Sequence, residues 1–282
     1  MADKDFPGLQ RRLAPPPALV VYKIKYAVHL PIEDAMPYPD RPEADLHVHT
    51  LASGHAYSTI NEIAAEAARK GLRLVAMTDH GPALPGGPHP YHFAALRFIP
   101  EFIQGVRILR GVESNIIGRG KLDLPEALLE KLDLVMAGFH EDTGFSGKGA
   151  VANTRALLAV MELPLVKVIS HPGNPRFPID FEVVARHAAA TGTALEINNS
   201  SFTVSRRGSA EPCGRLAQLC ARHGAPVAVG SDAHIAQGVG EFGDALAAIE
   251  AAGVAWEQVI NRSFASTLEF LGLPHPLFVP ES

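Results

Sequence analysis

From Ala44 to about Leu271, short apolar runs alternate with longer amphipathic runs, and the unit repeats seven times. Asp45–His49, Leu72–Thr78, Val106–Val112, Asp133–Phe139, Val166–Ser170, Ala194–Asn198 and Pro226–Gly230 have the length and β-branched content of strands. The runs between and after them read as helices: Ile60–Lys70 with Gly71 as its stop, Tyr91–Gln104, Leu124–Leu132, Asn153–Met161, Phe181–Ala190, about Pro212–His223, Glu241–Ala251 and Ser263–Leu271. Strand–helix alternation of this kind predicts an α/β fold with parallel strands in a single domain. Seven such units suit a barrel built from parallel strands better than the alternative, an open doubly wound sheet. A dinucleotide-binding sheet is disfavoured, because no G-x-G-x-x-G follows the first strand.

Polar residues gather at the ends of these strands. His47 and His49 lie two apart, so on a strand both rings face the same way. His55 falls in the loop that follows. His80, Glu113, His140, His171, Asp232 and His234 come at later strand ends. The active sites of parallel barrels form at the carboxyl ends of the strands, so a closed ring would bring all of these to one place. Any one of the histidines alone is most simply a hydrogen-bonded loop or core residue. Nine metal-type donors at equivalent positions predict a multinuclear metal centre. They are too many for one catalytic zinc, which takes about three protein ligands and a water. Neutral imidazole suits zinc, iron, copper and nickel, and carboxylate extends the choice to manganese.

Composition bounds the rest. The chain of 282 residues is 47% hydrophobic and 20% charged, ordinary for a globular protein with a large core. Its 25 Lys+Arg against 30 Asp+Glu offer no basic surface for a nucleic-acid backbone. No apolar run is long enough to span a membrane. The start, Met1-Ala2-Asp3-Lys4, lacks the charged and apolar regions of a signal peptide, and a cytoplasmic location is expected. Cys213 and Cys220 sit in one predicted helix, without metal-knuckle spacing, and read as small core residues. Residues 1–43 are proline-rich and read as an extension, in which Ala18–Val28 forms at most one strand; His29 is not counted with the site.

The stretches Asp45-Leu46-His47-Val48-His49-Thr50, Thr78-Asp79-His80-Gly81, Gly111-Val112-Glu113, Ala137-Gly138-Phe139-His140, Ile169-Ser170-His171-Pro172-Gly173-Asn174-Pro175 and Gly230-Ser231-Asp232-Ala233-His234 resemble the PHP (polymerase and histidinol phosphatase) superfamily. His55-Ala56-Tyr57-Ser58 and Leu195 to Phe202 make its YcdX-type bacterial phosphatases the nearest likeness. The resemblance covers about Ala44 to Leu271. It implies a distorted (β/α)7 barrel holding three divalent ions, usually zinc. It also implies ligand sets: His47, His49, Glu113 and Asp232 for one ion; a bridging Glu113 with His140 and His171 for a second; His55, His80 and His234 for the third. The implied reaction is hydrolysis of a small phosphate monoester by a metal-bound hydroxide, with Glu113 as the bridging carboxylate and Asp232 as its partner in the catalytic centre. A PHP-type nuclease or exonuclease, and a non-catalytic metal-binding protein, are the competing functions.

Around the ligands the sequence leaves choices open. Asp79, next to His80, is expected to point away from the metals and orient a ligand imidazole, or else to cap a turn. Glu141 shares that ambiguity. Glu196 either approaches the pocket or pairs with a lysine in the barrel wall, the wall being preferred. Arg206, beside Arg207, is a candidate clamp for the substrate phosphate, with a solvated basic pair as the plainer alternative. His89 and His92 lie in a loop that could form a lid. Oligomeric state and substrate identity have no readable code.

Overall fold

The computed structural model describes Tyr38, residues 41–145 and residues 148–276. The strand expected over Ala18–Val28 lies outside the described residues. In chain order the elements are β1 (Ala44–Val48), α1 (Ile60–Arg69), β2 (Leu74–Met77), α2 (Pro90–Ala95), β3 (Phe102–Ile103), β4 (Val106–Gly118), β5 (Lys121–Leu122), α3 (Glu126–Leu129), β6 (Leu134–Gly138), α4 (Ala150–Met161), β7 (Val166–Ile169), α5 (Phe181–Thr191), β8 (Ala194–Asn198), α6 (Ser200–Thr203), α7 (Ala210–His223), β9 (Val227–Gly230), α8 (Gly243–Ala251) and α9 (Phe264–Leu271). Hydrogen bonding orders the main strands β1-β2-β4-β6-β7-β8-β9, all parallel. The ring is drawn together where β1 meets the segment after β9. There His49 N–H donates to Ala233 O and Asp232 N–H donates to His47 O, each at 2.9 Å. The expected seven-strand, nearly closed barrel is therefore what the chain forms.

Two expected elements differ. Tyr91–Gln104 is not one helix: α2 ends at Ala95, a short 3-10 turn covers Leu96–Phe98, and Phe102–Ile103 pairs antiparallel with β4. Pro100 explains the break, because the residue before a proline is driven out of the helical region; Ile99 has φ −74° and ψ 129°. Pro125 likewise confines the expected Leu124–Leu132 helix to Glu126–Leu129, with the proline at its N-cap. In the other direction, β4 runs six residues past the expected Val112, so Glu113 lies within a strand rather than after one.

The two faces of the strands bury different layers. Val75, Met77, Val112, Val135, Ile169, Leu195, Ile197 and Val229 pack outward against the helices, with Ile63 and Ala67 of α1, Leu157 of α4, Val184 of α5, Leu216 of α7 and Ile249 of α8. Ala44, Leu46, Leu74, Ala76, Leu109, Leu134, Met136, Val168, Ala194 and Ala228 fill the inside, and Phe264, Leu268 and Leu271 of α9 pack against them from the amino-terminal end. Each of these large side chains, fully buried, stabilises the fold by about 1.5–3 kcal/mol.

The inner face sets up the site by simple alternation. Continuing the inward parity of Leu74 and Ala76 reaches His80. Leu109 leads to Glu113, Leu134 and Met136 to Gly138 and His140, Ala194 to Glu196 and Asn198, and Ala228 to Gly230 and Asp232. Strand β1 breaks the pattern, since Ala44 and Leu46 point inward but so do His47 and His49. The register explains it: Asp45 pairs with Val75 and Val48 with Met77, three residues facing two, which is a β-bulge. That single extra residue turns both histidines into the barrel.

Candidate metal centre

All nine metal-type residues expected from the sequence converge at the carboxyl end of the barrel. Glu113 is at the middle and fully buried. Its Oε2 lies 2.8 Å from His80 Nδ1 and 3.3 Å from His47 Nε2; its Oε1 lies 2.6 Å from His171 Nε2 and 3.3 Å from His140 Nε2. His49 Nε2 is 3.1 Å from both Asp232 Oδ1 and His47 Nε2. The His55 ring stacks on His80 at 5.0 Å between centroids and lies 4.8 Å from that of His234.

Among the described residues, three donor groups are compact enough to hold an ion each: His47, His49 and Asp232; His80, Glu113 and His140; His49, His80 and His234. The first coincides with part of one expected ligand set. The other two link His80 to Glu113 and to His49, where the expected sets gave His80 to the His55 group alone. His171 remains beside Glu113, as the expected second set requires.

The polar bookkeeping of these atoms is what a cation would complete. Neither Glu113 oxygen has a hydrogen-bond donor in proper geometry, although both are buried; His80 Nδ1 and His140 Nδ1 are also buried without partners. A buried, unsatisfied carboxylate costs several kcal/mol. Burial pushes the Glu113 carboxyl up, but the rings of His140, His47, His171 and His80 outweigh it and hold it well below the usual range. Burial likewise opposes ionisation of Asp232, and His47 and Arg206 overcome it. The site therefore carries two carboxylates facing a ring of imidazoles. Borderline-soft divalent ions such as zinc fit that donor set.

A further layer of buried groups aims the imidazoles. Glu196 is not paired with a lysine in the wall, as the sequence reading preferred. It is fully buried on the inner face, its Oε1 2.7 Å from His47 Nδ1 and its Oε2 accepting from His171 N–H at 2.7 Å. Asp79 does point away from the centre, as alternation requires. It accepts from Thr50 N–H (2.7 Å), Thr50 Oγ1 (2.8 Å) and Ser53 Oγ (2.7 Å), and Ser53 Oγ lies 3.2 Å from His49 Nδ1. Glu141 is exposed and pairs with Arg176 at 2.8 Å, away from the ligands. His89 caps α2 through its ring nitrogen, and His92 Nε2 reaches Asp79 Oδ2 at 3.1 Å.

Arg206 is half-buried and enters the site, while Arg207 is exposed. The Arg206 Nη2 atom donates to Asp232 Oδ2 at 2.5 Å and to Asn198 Oδ1 at 2.9 Å, and Nε donates to Ser201 Oγ at 3.1 Å. Asn198, which the sequence reading did not single out, thus joins Arg206 to Asp232 and Glu196. Backbone strain collects here too. Of the five non-glycine residues with positive φ among the described residues, His171 (32°), Arg206 (49°) and Asp232 (55°) all line the site.

The PHP domain family model matches residues 45–200. The chain belongs to the PHP domain family. A relative from Syntrophotalea carbinolica, named a probable phosphatase, is 63% identical over 83% of this chain and 97% of its own length. Another from Caldanaerobacter subterraneus subsp. tengcongensis, also named a probable phosphatase, is 49% identical over 80% of this chain and 90% of its own. Among solved structures, a histidinol phosphate phosphatase from Lactococcus lactis subsp. lactis, complexed with zinc, L-histidinol and phosphate, aligns with a TM-score of 0.51 at 20% identity, covering 75% of this chain and 94% of the other. That likeness supports the PHP barrel as the fold. No helix among the described residues is long and apolar enough to cross a membrane.

Proposed function

We propose that this PHP protein is a metal-dependent phosphatase acting on a small phosphate monoester. The observation that carries the reading is Glu113, a buried carboxylate ringed by histidine nitrogens yet without one well-formed hydrogen bond. The names of the two bacterial relatives agree with it, as do the zinc and phosphate bound by the Lactococcus enzyme of the same fold.

His47, His49, His55, His80, Glu113, His140, His171, Asp232 and His234 would hold three divalent ions, zinc in the simplest reading, with Glu113 bridging two of them. When bound, such ions supply a hydroxide nucleophile at neutral pH and positive charge for the phosphate oxygens. The chain's own contribution is to hold the ligands rigidly and exclude water from the floor of the pocket, where Gly138 and Gly230 leave the space. A Cβ on Gly230 would lie 2.9 Å from the His47 Cβ and overlap the Glu196 carboxylate. Arg206 is the candidate for orienting a phosphate, since its guanidinium already sits on an anionic partner inside the site.

The test is metal analysis of the purified protein, followed by assay against a panel of phosphomonoesters before and after exhaustive chelation. The expected result is two to three divalent ions per chain and hydrolysis that disappears with them and returns on their readdition. Activity that persists in fully metal-free protein would sink the reading.

A further inference from the structure

The Ser53 hydroxyl stands at a junction that no metal-binding motif names. It is fully buried in the loop after β1. It donates to Asp79 Oδ1 at 2.7 Å, lies 3.2 Å from His49 Nδ1, and accepts from the backbone N–H of His80 at 3.2 Å. Asp79 is surrounded by donors on both oxygens: Thr50 N–H and Ser53 on Oδ1, Thr50 Oγ1 and His92 on Oδ2. Thr50 N–H can only donate, and it meets the same Oδ1 as Ser53 does, so Asp79 is the acceptor and the one Ser53 proton is committed to it. Ser53 can then only accept from His49. When His49 gives its Nε2 lone pair to a cation beside Asp232 Oδ1 and His47 Nε2, the ring proton is on Nδ1, and Ser53 is the oxygen placed to accept it.

We infer that Ser53 is a positioning residue that fixes the tautomer and ring plane of His49 and, through the same oxygen, the backbone of His80, with His92 as the outer tether of the chain His92–Asp79–Ser53–His49. The inference rests on the metal-centre reading and adds how two of its ligands are presented. The segments joined by this chain also meet by backbone. A Cβ on Gly54 (φ +79°) would lie 2.6 Å from Gly86 O, so the loop after β1 and the loop leading into α2, the helix that carries His92, fit only without a side chain there. His92 is itself a quarter exposed, and its bond to Asp79 is the outermost of the four.

The experiment compares the wild-type chain with Ser53→Ala, His92→Phe and His92→Gln. The measurements are zinc titration in competition with a chelating dye, the melting temperature of the metal-free protein, and the nitrogen-15 signature of the His49 ring. The expected result is that Ser53→Ala weakens at least one zinc equivalent by about 10–100-fold. In the metal-free chain Ser53→Ala should also shift the His49 ring toward its Nε2–H tautomer, because Nδ1–H loses its acceptor. His92→Phe should show a smaller loss in the same direction, which His92→Gln restores through its amide donor. Zinc isotherms that superimpose for wild type, Ser53→Ala and His92→Phe would overturn the inference while leaving the metal centre standing. A lower melting temperature with unchanged isotherms would do the same, by showing a purely structural role. A wild-type chain that takes up no zinc or other divalent ion would overturn both this inference and the metal-centre reading.

Discussion

His47 Nδ1 lies 2.7 Å from Glu196 Oε1, and both side chains are fully buried. This contact turns the other ring nitrogen, Nε2, toward Glu113 and Asp232. A carboxylate behind a ligand histidine holds the ring plane and raises its basicity. Glu196→Gln should therefore lower zinc affinity by about 10–100-fold, with the barrel intact. Equilibrium dialysis followed by elemental analysis checks this; an unchanged zinc content at limiting free metal would refute it. The effect should exceed that of Glu141→Gln, because Glu141 is exposed and meets only Arg176.

Glu113 makes a prediction for the metal-free chain as well. The rings of His140, His47, His171 and His80 hold its carboxyl well below the usual range, so the ionised carboxylate stabilises the metal-free fold at neutral pH although no hydrogen bond to it is well formed. Metal-free Glu113→Gln should therefore melt below the metal-free wild type. Saturating zinc should then raise the wild-type melting point strongly, since free metal at 1,000 times Kd adds about 4 kcal/mol to the native state. The variant should gain much less. Melting curves with zinc and with chelator measure both effects. A metal-free variant as stable as wild type, or more so, would show that the imidazoles do not offset the burial of the carboxylate.

Two glycines separate site from scaffold. A Cβ on Gly138 would overlap Ser170 Oγ and come within 3.2 Å of the His171 ring and 3.4 Å of Glu113 Oε1. Gly138→Ala should cost about 1–3 kcal/mol by overpacking and displace the His171 ring. Gly214 lies in the interior of α7, with nothing within 4 Å of an added Cβ. Gly214→Ala should stabilise by about 0.5–1 kcal/mol through helix propensity, with zinc content unchanged. Chemical denaturation of the pair reads both signs in one experiment.

The frame of this site was legible in the sequence because a parallel strand alternates faces. Once the strands are placed, His80, Glu113, His140 and Asp232 follow from the inward parity of Leu74, Leu109, Leu134 and Ala228. His47 and His49 were found from their mutual spacing, but that they face inward depends on a bulge that no local signal in Asp45–Val48 announces. His171 is off parity with Val168 and reaches the centre only through a left-handed backbone, φ 32°, which its residue type does not advertise. Glu196 was misjudged because a carboxylate on a buried strand has two ordinary partners, and the one chosen comes from β1, 149 positions away. The break after Ala95 was readable in Pro100, whose effect on Ile99 outweighs the helical pattern of Tyr91–Gln104.

The last prediction concerns pH, and it uses two histidines that the site pushes in opposite directions. In the metal-free protein, burial and then the Arg206 guanidinium bring His171 down to about 4. Burial also works against a charged His47, but the Glu196, Glu113 and Asp232 carboxylates overcome it and hold the ring well above the ordinary histidine range. In an unfolded chain both titrate near 6.5. Between about pH 6.5 and 4 the unfolded chain carries the His171 proton and the folded one does not, so this residue's contribution to stability falls as the pH falls through that window. The His47 contribution is fully present below about 6.5 and is lost as the pH rises through its elevated folded value. Proton NMR of the metal-free chain should place the His171 midpoint near 4 and find His47 still protonated at pH 7. Zinc must displace that proton to bind, so uptake at pH 7 should release protons, and zinc affinity should fall as the pH is lowered. Titration calorimetry in buffers of different ionisation enthalpy measures the release. Zinc uptake at pH 7 without proton release would mean that His47 is neutral in the metal-free site, and that its three carboxylate neighbours do not govern it.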